Sequence, residues 1–181
     1  MLVKDIPAVT GWDERRNEFV TSPAVTLVME HSLISLSKWE SKWKKPFLTN
    51  KPKTDAELRD YIRCMVISPN NVDSNVFLTM PSAIMQDIYN YVNDSQTATT
   101  IRKNGNQKKS SEIPTSELIY YWMITKGIPM QCEKWHLSRL LILIEVCNVK
   151  GEKPKKMSQK ELYNRNAAIN ARNRAKYHTK G

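Results

Sequence analysis

The sequence predicts a mainly α fold: a small helical bundle with a minor β element and a C-terminal basic helix or arm. Three observations predict it. Apolar residues recur at i, i+3, i+4 and i+7 in one stretch after another, which gathers them on one helix face. Thr54 with Glu57 and Ser158 with Glu161 both read as capping boxes, in which each side chain satisfies a backbone N–H that the first helical turn leaves open. Only five Gly occur among 181 residues, and no GxGxxG, GxxxxGK[ST] or GxSxG is present. The glycine-dependent phosphate loops and nucleophile elbows are thereby excluded.

The elements follow in order. In PAVTLVME (23–30) Val25, Leu27 and Met29 alternate with Thr26, Val28 and Glu30, which predicts a short strand near 24–30. Ser35–Lys45 reads as a helix with Leu36, Trp39 and Trp43 on one face, stopped by Pro46. Thr54 opens the next helix, with Leu58, Ile62 and Met65 as its stripe and Tyr61 alongside. SPNNVDS (68–74) is turn chemistry. A further helix begins near Met80-Pro81, buries Ile84, Ile88, Tyr91 and Val92, and ends at Asn93-Asp94. At 97–113 a β-branched run meets Asn104-Gly105, which predicts a small exposed hairpin or a loop. Glu117–Lys126 is a helix capped by Thr115 or Ser116, with Gly127 placed for a left-handed C-terminal cap. Its predicted face is Leu118, Tyr121, Trp122 and Thr125. After Pro129, Met130–Val146 reads as one helix, apolar nearly all round and hence central to the core. Ser158 opens a last helix toward Tyr177, with Leu162, Ala168, Ile169 and Ala175 as its apolar content. That is too little to bury alone, so this helix docks on a partner or frays.

Charge divides the chain in two. Of the overall net +10, residues 149–181 carry +8, from ten Lys/Arg against Glu152 and Glu161, which leaves +2 for residues 1–148. The expected organisation is a helical core domain over 1–148 and a basic linker with a C-terminal helical arm over 149–181. A clustered basic arm suits a polyanion or an acidic protein surface, or serves only as a solvated, solubilising tail. Arg165, Arg172, Arg174 and Lys176, set among four Asn, resemble an arginine-rich segment that folds on contact.

Little points to chemistry. Cys132 and His136 stand four apart on a predicted helix, but two ligands do not make a site, and Cys64, Cys147, His31 and His178 add no ligand spacing. No acid–base pair and no nucleophilic set stands out, and no enzyme, metal or cofactor is expected. Trp39 and Trp43 lie among Lys38, Lys42, Lys44 and Lys45, a pattern that could stack on bases beside phosphates. Helical spacing favours a core-facing Trp stripe with a solvated Lys face. MLVKDIPAVTGWDERRNEF has no apolar signal region, and the longest aliphatic run, Leu140–Ile144, is five residues, far short of the roughly 20 that span a bilayer. Three scattered Cys make no disulfide framework. The expectation is a reduced, cytosolic, soluble protein.

EHSLISLSKWESKWKKPFL (30–48), SELIYYWMI (116–124), CEKWHLSRLLILIEVCN (132–148) and the ending KKMSQKELYNRNAAINARNRAKYHTKG resemble small helical proteins of the tail-gene region of tailed bacteriophages, similar to tail assembly chaperones. That resemblance implies a non-enzymatic factor. It would bind tape-measure or tail-tube protein before polymerisation, in the host cytoplasm, and be absent from the finished particle. Trp39, Trp43, Tyr120 and Met130 would supply adaptable contacts to the client in the helix-in-groove manner. The basic arm would steer association with an acidic client. Self-association is compatible with such a factor; a membrane is not expected. Two alternatives stay open: a nucleic-acid-binding phage protein using the arm, and a minor structural protein of the neck or tail retained in the virion.

Overall fold

The computed structural model describes residues 1–13, 16–101, 112–151 and 159–178. Two compact units divide the chain, Met1–Asn148 and Val149–Gly181. Among the described residues the protein is mixed α/β, with seven α-helices (55% helical) and an N-terminal antiparallel β region (16% strand) in two small sheets. Helix predominates as expected, but the β part is larger than the expected minor element of a short strand near 24–30 and a possible hairpin near 97–113.

Four of the first unit's strands precede any helix. They are β1 (Leu2–Ile6), β2 (Val9–Asp13), β3 (Glu18–Ser22) and β4 (Val25–Met29). β4 is the predicted strand, and its alternation buries Leu27 and Met29. It lies between β1 and the short β5 (Val66–Ser68), antiparallel to both. β2 and β3 form a separate hairpin that sets Trp12 opposite Phe19. The first three strands escape the pattern because each commits so little to the core: Ile6 from β1, none from β2, Val20 and Ser22 from β3. Alternation is a weak signal where a strand buries at most one large apolar residue.

α1 (Leu33–Trp43) begins at Ser32, whose side chain exchanges hydrogen bonds with Ser35. It ends two residues before Pro46, at Lys44 in the left-handed conformation (φ 53°), whose N–H returns to the Glu40 carbonyl. α2 (Asp55–Met65) carries the predicted Thr54–Glu57 capping box. At the end of the predicted 68–74 turn, Asp73 caps a short α3 (Ser74–Leu78) that buries Val76 and Phe77. α4 (Ser82–Asn93) follows Pro81, which is the residue just outside the helix rather than in its first turn. Of the predicted hairpin at 97–113, residues 102–111 lie outside the described residues, and the flanking 97–101 and 112–113 are not strands.

α5 (Ser116–Thr125) is capped by Thr115 and closed by Gly127 at φ 64°. Its buried face is Ser116, Ile119 and Met123, which corrects the predicted face of Leu118, Tyr121, Trp122 and Thr125. The predicted single helix over 130–146 is two elements, a 3-10 helix (Met130–Lys134) and α6 (Leu137–Gly151). An antiparallel bridge between Ser32 and His136 makes the break, and the Leu137 N–H donates to the His31 carbonyl at 2.7 Å. A residue held in extended pairing cannot also continue a helix. α6 buries Leu137, Leu140 and Ile144 and leaves Leu141 and Leu143 half-covered, so it is a one-sided core helix rather than a central one.

α1 is the hub, packing on α2, α5 and the 3-10 helix. Leu33, Leu36, Trp39, Met65, Ile119, Met123, Leu137 and Leu140 are fully buried around it. Each such side chain contributes roughly 1.5–3 kcal/mol by leaving water. The second unit holds α7 (Gln159–Tyr177), whose described side chains are all exposed. The cap predicted for it rests on Ser158, outside the described residues.

Candidate functional site

The predicted contact residues do not share one surface. Trp39 is 1% exposed, and its indole N–H donates to the Glu57 carbonyl at 2.9 Å. It is a core residue and cannot offer itself to a client, which corrects that expectation. Trp43 stacks on it at 5.9 Å between ring centroids and donates to Asp60 Oδ2 at 2.8 Å. Lys42 reaches Asp60 at 2.6 Å, Lys45 pairs with Glu57, and the Lys45 ammonium lies 5.3 Å from the Trp43 ring centroid. Burial opposes ionisation of Asp60, but hydrogen bonds from Lys42 and Trp43 and the nearby Arg63 charge outweigh it and hold the carboxyl below its usual range. The Trp–Lys stripe is therefore a clamp between α1 and α2, with the tryptophans inward as helical spacing favours. Tyr120 is half-buried and donates to Glu133 at 2.9 Å; burial and that carboxylate push its hydroxyl up to about 12. Met130 is exposed at the start of the 3-10 helix.

A buried polar knot joins the β4–α1 junction to the start of α6. Glu30 accepts from the Tyr91 hydroxyl at 2.6 Å and pairs with the Met1 amino group at 2.8 Å. His31 Nδ1 meets the Tyr61 hydroxyl at 2.5 Å, and the His31 and His136 rings pack edge to face at 5.0 Å. The Ser138 N–H donates to His136 Nδ1, which leaves His136 Nε2 to donate to the Tyr91 carbonyl at 3.1 Å, as only the neutral ring can. Burial, with His136 beside it, lowers His31 to about 3; burial also lowers His136. Two neutral imidazoles thus sit beside the Glu30–Met1 ion pair. Sequence reading missed this knot because its members are 105 positions apart; the only local sign is Glu30-His31-Ser32, three polar residues directly after a strand.

Cys132 and His136 do not share a helix, since Cys132 is in the 3-10 helix and His136 in the bridge that ends it. Among the described residues no group of three or more His, Cys, Asp or Glu could hold a metal ion.

What α5 and α6 leave outside is an apolar groove. With Ile119 and Met123 turned inward, Tyr121 and Ile124 are 60% and 68% exposed. Tyr121, Trp122 and Thr125 face Leu141, Ile144 and Glu145 across a hollow of about 430 Å³. Neither the Tyr121 hydroxyl nor the Trp122 indole N–H has a hydrogen-bond partner among the described residues. Exposed aromatics with unused polar tips are typical of contact surfaces. The sequence carries this signal as the Leu118–Tyr121–Trp122–Thr125 face, whose direction helical spacing does not decide. On α7, Arg165, Arg172, Arg174 and Lys176 are exposed.

The chain matches no protein-family model, no curated protein and no solved structure. Among the described residues no helix is long and apolar enough to cross a membrane.

Proposed function

We propose that this protein is a bacteriophage tail assembly chaperone that holds a tape-measure or tail-tube protein before polymerisation, with the α5–α6 groove as its client seat. The observation that carries this reading is exposed Tyr121 with half-buried Trp122 lining a hollow beside Leu141 and Ile144, on a domain whose other aromatics on α1 and α2 are spent inside. A tape measure is a long helical protein whose apolar stripe needs cover before assembly, and an amphipathic helix fits such a groove. The resemblance of residues 30–48, 116–124, 132–148 and the C-terminal segment to phage tail-region proteins supports the same reading. Recovery of tape-measure or tube protein on the tagged chain from infected cells is the expected result. Recovery of nucleic acid alone would overturn it.

One observation favours a second reading. α7 exposes Arg172, Arg174 and Lys176 together with Tyr163 and Tyr177, and places Lys176 5.0 Å from the Tyr177 ring centroid. Cations beside free aromatic faces suit single-stranded nucleic acid. A tight, salt-sensitive complex with DNA or RNA, lost when residues 158–181 are deleted, is the result that reading requires.

A further inference from the structure

A second hollow of the first unit, away from the α5–α6 groove, carries charge instead of aromatics. It is a cleft of about 800 Å³ between the first half of α1, the end of α2, β5 and the turn after it, with Lys134 at its rim. Its cations are Lys38, Arg63, Lys134 and the Met1 amino group, and its acid is Glu30. Glu30 is already occupied, since one oxygen takes the Tyr91 hydroxyl and the other the Met1 amino group. Arg63 is held by Asp60 at 2.8 Å. Lys38 and Lys134 have no carboxylate partner among the described residues. Two ammonium groups are thus left beside a concave surface with nothing anionic to meet them.

The walls between them are apolar. Ile67 is 50% exposed, Ile34 and Val72 are half-buried, and Phe77 closes the floor. β5, which supplies Ile67, is the outermost strand of the order β1-β4-β5, so one of its ladder edges is unpaired. Unpaired edges are where extended chains add to sheets. Cys64 lines the cleft, but burial and Asp60 push its thiol up, so it is a quiet neighbour rather than a nucleophile.

We propose that this cleft binds an extended acidic segment of a partner protein, which lays apolar side chains on Ile67 and Val72 and sets carboxylates beside Lys38 and Lys134. A lone phosphate fits less well. The cleft is far larger than one oxyanion, its free cations are separate lysines, and half of its wall is hydrocarbon.

The test uses the full chain, ¹⁵N-labelled, with three probes: a synthetic peptide of repeated Glu-Val-Asp-Leu, the same peptide with Gln and Asn for its acids, and inorganic phosphate. The acidic peptide should shift the amide signals of Lys38, Ile67, Val72 and Lys134. Its affinity should fall as salt rises from about 50 to about 300 mM, because exposed charges are screened. K38E/K134E, both surface changes, should weaken it about tenfold. R172Q/R174Q/K176Q should leave it within about twofold, which separates the cleft from the basic arm. The proposal is overturned by equal binding of the uncharged peptide, by unchanged binding in K38E/K134E, by shifts confined to α7, or by phosphate alone saturating the same amides. None of these readouts involves Tyr121 or Trp122, so failure here and failure of the α5–α6 seat are distinguishable.

Discussion

Helices α1 and α5 each carry an aromatic-bearing stripe at helical spacing, Leu36–Trp39–Trp43 on one and Leu118–Tyr121–Trp122–Thr125 on the other. The domain turns the first inward and most of the second outward. Periodicity is the same in both, so it cannot be what decides. The difference lies in polar anchoring. Both indole N–H groups of α1 find acceptors on α2, at the Glu57 carbonyl and at Asp60. α5 is oriented from its first residue, because the Ser116 N–H reaches buried Glu40 at 2.7 Å while the other Glu40 oxygen accepts from the Phe47 N–H at 2.8 Å. That attachment fixes the rotation of α5 about its axis and commits Ile119 and Met123 to the core. A stripe becomes core when the backbone around it can be satisfied there.

Substitutions on the two stripes should therefore separate sharply. Trp39→Ala removes a buried indole together with its hydrogen bond to the Glu57 carbonyl; a loss of roughly 3–5 kcal/mol is expected in urea unfolding. A loss under about 1 kcal/mol would refute the inward assignment of α1.

Acid should act through the histidine knot that ties α1 to α6. Both histidines are lowered in the folded state, so the unfolded chain binds protons first as pH falls. The stability they contribute is complete above about pH 6.5 and is lost progressively toward the folded value of His31, about 3. The slope is about 1.4 kcal/mol per pH unit for each ring still neutral in the fold. H31Q should flatten it in unfolding curves taken across that range; identical slopes in the two proteins would rule the knot out as the cause.

Glu40→Gln tests what orients α5. Its amide nitrogen must face one of the two backbone donors, an expected loss of about 2 kcal/mol. If the anchor sets the rotation, the Ile119 and Met123 methyl signals should broaden or move in NMR spectra, whereas an unchanged methyl spectrum would give the rotation another cause. Gly127→Ala probes the stop after α5. Its added methyl meets no atom within 4 Å, so only the positive φ of 64° is strained, at about 1 kcal/mol by thermal unfolding. Smallest is Tyr121→Ala, an exposed side chain lining the α5–α6 groove. Stability should stay within about 0.5 kcal/mol, while client capture drops about tenfold. Unaltered capture would remove the α5–α6 groove from the proposed function.

What was legible in the sequence was what neighbours settle. Thr54 with Glu57, Thr115 before α5 and Gly127 after it are chemistry within a few residues, and each does what its type dictates. The β4 alternation was readable because two of its residues are fully buried. The rest depends on partners far along the chain. His136 breaks a helix-like run because Ser32 pairs with it, and β5 is a strand because β4 lies beside it. For the site, the residues of the outer groove were visible, but their direction was not, because Glu40 decides it from 76 positions away. Trp39 is buried as helical spacing favours and not the contact the resemblance implies; an aromatic among lysines looks alike whether it faces solvent or an indole acceptor.

The Glu40–Ser116 attachment, the Leu137–His31 hydrogen bond and the His31–His136 ring contact all join residues before 102 to residues after 111. Severing the chain between those positions would leave each half holding the other's missing partners. Two separately expressed pieces, 1–101 and 112–181, should consequently reconstitute one domain on mixing, as a split protein whose reunion depends on Glu40.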